Sequence, residues 1–171
     1  MKQAALPMAG GAALMLAACG SETSGEFKTE DGKNAEYTID KETGETSMTI
    51  EREDGEASLR AGANVPVSLP DGFTLFPGSK VTNNAVVNQP DGQGTMITFE
   101  SDAPADKVVA HYRDAAKGAG FDIQLEMNTN GTQMVAGERK SDSATISVTA
   151  TPGEGGAVTT GQIIIATKKG G

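Results

Sequence analysis

The sequence has no tryptophan, only two tyrosines and five phenylalanines, a single cysteine and a single histidine among 171 residues. One cysteine excludes an internal disulfide and any cysteine-rich metal cage. One histidine, His111, leaves a poor nitrogen and sulfur set for a transition metal. It also leaves no second imidazole for paired acid–base work. No nucleophile elbow or spaced triad accompanies it. Basic side chains are scarce as well: 14 Lys and Arg stand against 23 Asp and Glu, for a formal net charge of −9. Such a surface repels phosphate backbones, so nucleic acid is excluded as a partner. The surplus carboxylates serve solubility, and a cationic partner is the sharper alternative. No apolar run reaches the roughly 20 residues a membrane-spanning helix needs.

One apolar run is present, from Ala4 to Ala18, behind the positive charge of Lys2. It is interrupted by Pro7, Gly10 and Gly11, and it has the order and size of a secretory signal peptide. It closes on Leu16-Ala17-Ala18-Cys19, which resembles the bacterial lipobox: a Leu, two small residues and an obligatory Cys. The resemblance implies cleavage between Ala18 and Cys19, a diacylglyceryl thioether on Cys19 and a third acyl chain on the new N-terminus. Each buried methylene contributes roughly 0.8 kcal/mol, so such chains hold a protein firmly on a membrane. Covalent lipid is then the one non-protein group expected, with no cofactor and no metal. Gly20 follows the cysteine where an Asp would signal retention in the inner membrane. The expected address is the outer membrane facing the periplasm, or the cell membrane of a host that has only one.

Beyond residue 18 roughly 150 residues remain, enough for one modest core. Residues 19–26 form the expected lipidated cysteine and a small polar tether. Residues 27–62 read as a β-hairpin meander. Asp31-Gly32, Thr43-Gly44 and Asp54-Gly55 punctuate it, and Tyr37/Ile39, Met48/Ile50 and Ala57/Leu59 alternate between them. One thin apolar face is too little for independent stability, so the meander is expected to pack on the unit C-terminal to it or on a partner. Pro66 and Pro70 mark a linker into residues 63–171.

That second unit reads as strand, strand, helix and four strands. The strand segments are 81–88, 95–101, 121–127, 132–139, 144–151 and 162–168. Pro104 opens the helix and Gly118 and Gly120 close it. Ala105, Val108, Val109, Tyr112 and Ala116 form its apolar stripe, with His111 about 60° from Val108 at the stripe's edge. The fold class expected is α+β: an N-terminal β-hairpin meander followed by an antiparallel sheet with one amphipathic helix packed on it, ββαββββ-like.

The order Leu69-Pro70-x-Gly72-Phe73, Phe76-Pro77-Gly78, Val108-Val109-x-x-Tyr112 and Gly120-Phe121 resembles a group of uncharacterised proteobacterial lipoproteins over about residues 65–169. The matching residues are turn glycines, rigid prolines and core aromatics, and the resemblance implies no catalytic set. A fainter similarity, at the level of fold, is to periplasmic lipoproteins that accompany the outer-membrane protein assembly machinery.

Two short motifs resolve into turns. Asp40 to Glu45 lacks the register and final bidentate Glu of a calcium loop, and Gly153-Glu154-Gly155-Gly156 has no following Lys to hold a phosphate. The sequence therefore points to a protein that is not an enzyme. Its expected role is a structural or protein-interaction one in the cell envelope, with an envelope protein as partner. The alternative is a binding module for a small apolar or lipidic ligand in a helix–sheet groove lined by Val108, Val109 and Tyr112.

Overall fold

The structure, a computed structural model, describes residues 21–156 and 158–168. The expected signal segment 1–18 and the expected cleavage and lipidation site at Ala18 and Cys19 lie outside the described residues.

The order of elements is β1 (Glu22–Lys28), β2 (Asn34–Asp40), β3 (Thr46–Arg52), β4 (Gly55–Gly62), β5 (Lys80–Gln89), β6 (Gly92–Ser101), α1 (Ala105–Gly118), β7 (Asp122–Thr129), β8 (Thr132–Arg139), β9 (Ala144–Pro152) and β10 (Thr159–Lys168). All ten strands belong to one sheet of order β1-β2-β3-β4-β5-β6-β10-β9-β8-β7, and every pairing is antiparallel.

This overturns the expected fold class. Among the described residues the protein is mostly sheet, with one α-helix, and it is not a meander set before a separate ββαββββ unit. The meander's last strand pairs directly with β5, from Ser58 opposite Asn88 to Gly62 opposite Asn84. The four strands therefore extend the same sheet instead of packing across it. The alternation in residues 27–62 identifies strands and their faces, but period 2 carries no information on which edge a strand joins. The tether expected through Glu26 is a strand from Glu22 on, paired with β2 along its whole length. Its residues, ETSGEFK, have weak strand propensity. The neighbouring strand holds them, with the Tyr37 ring lying over Gly25 and 6.4 Å from the Phe27 ring.

Beyond β6 the chain crosses through α1 to the far edge and then returns by hairpins, so β10 closes against β6. Pro104 caps α1, and its carbonyl accepts from the N–H groups of Lys107 and Val108. At the other end the Ala119 N–H donates to Ala115 O and the Phe121 N–H to Ala116 O, with Gly120 at φ 84°. Only a residue that tolerates positive φ turns the chain so sharply into β7. Arg139 seals this end: it donates to Ala119 O at 3.1 Å, lies 4.8 Å from the Phe121 ring centre and forks onto Asp142 at 3.0 and 2.8 Å.

The core lies on one face of the sheet, here called the inner face. Ile97 and Phe99 of β6, Ile163 and Ile165 of β10, Ile146 and Val148 of β9 and Val135 of β8 point into it. Val108, Tyr112 and Ala116 of α1 meet them. Gly161 stands opposite Phe99, whose ring occupies the space a β-carbon would need.

Candidate functional site

The inner face is covered by two pieces. Helix α1 lies over β7 to β10. The chain between β4 and β5, residues 63–79, forms a strap over β5, β6 and β10, and Val67, Leu69, Leu75 and Phe76 pack it onto the core. Its prolines favour extended backbone, Gly72 and Gly78 turn it at φ 89° and 78°, and polar contacts pin it. Asn84, wholly buried on β5, donates from Nδ2 to Pro66 O at 2.9 Å and to Val65 O at 3.3 Å. The Phe76 N–H donates to the Tyr112 hydroxyl oxygen at 2.8 Å. His111 Nε2 lies 3.3 Å from Thr74 O; a carbonyl only accepts, so that nitrogen carries the proton. Phe76 meets His111 edge-on at 5.4 Å, and Phe73 meets Phe121 at 5.9 Å.

The three residues expected to line a groove are brought together, as core. Val108 and Tyr112 are wholly buried and Val109 nearly so. The Tyr112 ring lies 6.0 Å from Phe99. Burial pushes the Tyr112 hydroxyl up to about 12, against a smaller downward pull from the Phe76 N–H. Val109 also borders a shallow depression of about 390 Å³ between α1 and the β7–β8 hairpin, with Arg113 and Glu126 at its rim. His111 is half-buried in the seam between helix and strap, with an aromatic ring on either side and no carboxylate among its hydrogen-bond partners. That placement suits a seam residue; a general base needs an orienting carboxylate.

Asp40 to Glu45 is a hairpin turn. Asp40 Oδ1 accepts from the N–H groups of Thr43 and Glu42, which hold its carboxyl below the usual carboxylate range. Gly44 supplies the positive φ of 71°. Among the described residues no group of three or more His, Cys, Asp or Glu is arranged to hold a metal. Among the same residues no helix is long and apolar enough to cross a membrane.

Two surfaces have no single motif to announce them. On β1 to β4 the charged side chains other than Arg52 fall on the inner face, beyond the reach of α1. Glu26, Lys28, Asn34, Glu36, Thr49, Glu51 and Glu56 there line a depression of about 540 Å³. Glu26 stands directly opposite Glu36, and Glu51 opposite Glu56. The apolar residues of the same strands point to the outer face. Cross-strand register would reveal this pattern, but register becomes available only once the strand order is known.

The fold thus defines a single-sheet domain in which α1 and the strap clamp the apolar part of the inner face, over β5 to β10. Residues 79–161, from the last strap residue into β10 and including α1, match the model of a family described as START domain-like. The chain matches no curated protein and no solved structure.

Proposed function

We propose that the protein is a non-catalytic binding module of the cell envelope, and that its ligand is a small apolar or lipidic molecule taken between α1, the strap and the sheet. The observation that carries this reading is the START domain-like match over residues 79–161, which supports a ligand-binding module. The matched segment includes the part of the protein where α1 and the sheet meet through a continuous apolar cluster. Entry requires the seam between α1 and the strap to open. Two hydrogen bonds hold that seam, at Tyr112 and His111. The resemblance of Leu16-Ala17-Ala18-Cys19 to a lipobox supports attachment to a membrane through acyl chains on Cys19, with the outer membrane facing the periplasm as the proposed address.

The test is titration of the purified protein with the neutral fluorophore N-phenyl-1-naphthylamine, alongside native mass spectrometry of protein taken from cells. The expected result is saturable one-to-one uptake that Val109→Trp, placed at the helix edge, reduces strongly. Uptake that never saturates, or that ignores the substitution in a folded variant, would sink the reading. The anchor is checked separately by mass spectrometry of the mature N-terminus and by membrane fractionation; an unmodified Cys19 thiol in a soluble fraction would refute it.

A second reading, a structural or protein-interaction role with an envelope protein as partner, is favoured by the apolar outer face. Crosslinking in intact cells tests it: one reproducible partner supports it, and a random set of neighbours counts against it.

A further inference from the structure

We infer that the outer face of β1 to β6 is a self-association surface that packs against the same face of a second copy of this chain. The face is built by register. Phe27 stands opposite Ala35, Tyr37 opposite Met48, Met48 opposite Leu59 and Leu59 opposite Val87, and Ile39, Ala61 and Ala85 lie in the next row. Between Arg52 at one end and the Lys80–Glu100 pair at the other, it carries no charged side chain. Phe27 and Ile39 remain 43% and 39% exposed. An apolar sheet face is ordinarily buried against another layer, but α1 and the strap both lie on the opposite side.

Three arguments select a second copy as that layer. The first is charge. Copies of a chain with formal net charge −9 repel through any surface that carries its share of the carboxylates. Glu26, Glu36, Glu51 and Glu56 all point to the inner face, so outer-face contact leaves them solvated and as far apart as the sheets allow. The second is area. Six strands at about 4.8 Å spacing and some seven residues at about 3.3 Å each present roughly 650 Å² of face. Two copies would then bury about 1,300 Å², within the range of specific interfaces. The third is shape: sheets pack face to face about 10 Å apart through side chains of the size of Met, Leu, Ile and Ala. A bilayer is the weaker fit, because surfaces that lie on membranes carry Lys and Arg around the apolar patch, and the outer face has Arg52 and Lys80 only at its ends.

The test uses the chain from residue 19 on with Cys19→Ser, so that no acyl chain drives association; all ten strands and α1 lie within it. Sedimentation equilibrium at about 50 μM, above the weak limit for interfaces of this size, should give a dimer that high salt does not dissolve. Ile39→Glu should weaken it by roughly 100-fold or more, since each copy would bury an unpaired carboxylate, while Thr38→Glu on the inner face should not. Should Ile39→Glu lose its native circular dichroism, Leu59→Cys and Ser58→Cys replace it, with a short bis-maleimide expected to join copies only through position 59. A monomer at that concentration, a dimer indifferent to Ile39→Glu, or equal crosslinking at both positions overturns the proposal. So does a monomer that floats with phosphatidylcholine vesicles through Ile39, which would make the bilayer the occupant.

Discussion

Tyr112 shows how one side chain serves core and seam together. Its ring fills the space between α1 and Phe99, and its hydroxyl is the acceptor that satisfies the Phe76 N–H at 2.8 Å. Tyr112→Phe keeps the ring and orphans that N–H, which should cost about 1–3 kcal/mol. The substitution also has a pH signature. The phenol is held protonated in the folded state up to about 12, above its ordinary value of 10.0. Between those two values the unfolded chain has lost a proton that the folded chain keeps, so stability falls as pH rises through this window. Chemical denaturation at pH 8 and across the alkaline range should show the wild type losing stability there and Tyr112→Phe losing less. Equal alkaline loss in both proteins would refute the role. Tyr112 is legible in the sequence as an apolar-stripe residue, because Ala105, Val108, Val109, Tyr112 and Ala116 keep helical spacing. Its hydroxyl contact is not, because Phe76 is 36 positions away and only the strap's path brings the two together.

Among the elements, the strap behaves unlike the rest. It has no ladder hydrogen bonds of its own, and its hold on the sheet depends on apolar contacts and on Asn84, which reaches Val65 O and Pro66 O from inside the core. Asn84→Ala removes both bonds and should loosen residues 63–79 ahead of the sheet. Hydrogen exchange by mass spectrometry is expected to show faster exchange in that segment, with β8 to β10 unchanged; uniform acceleration would mean that Asn84 stabilises the whole fold instead. Alternation, Pro104 and the closing glycines place the strand and helix segments from residue 81 on nearly where the structure has them. Residues 63–70 read as a linker because Pro66 and Pro70 favour extended chain. The same prolines lay the strap flat across β5 and β6, a role that local pattern does not distinguish from a linker's. β1 escapes a sequence reading for a related reason: Gly25, Ser24 and two glutamates resemble a tether until β2 is beside them.

At the scale of the whole molecule, one sheet carries two kinds of stability. Strands β6 to β10 have α1 and the strap on their inner face, whereas β1 to β3 have neither, and Ala35 and Ala57 are the buried hydrophobics of the meander. Local opening free energy follows buried apolar contact, so the β1 side should open well below the global free energy while the core strands exchange only through full unfolding. The meander nevertheless hangs on β5 through five residue pairs, and that hinge decides the order of events. Opening should start at β1 and run inward to β4, then stop where the strap and Asn84 reinforce β5. Native-state hydrogen exchange in rising denaturant should therefore resolve two units, Glu22 to about Gly62 and the remainder, with the first unit's protection falling earlier. Self-association through the outer face adds a concentration dependence to this picture, because a ligand that binds only the closed form stabilises it by mass action. Protection of β1 to β4 should rise with protein concentration while that of β8 to β10 does not, and Ile39→Glu should remove the rise. A meander whose protection matches the core at every concentration would show that the sheet opens as one unit and that the uncovered outer face costs it nothing.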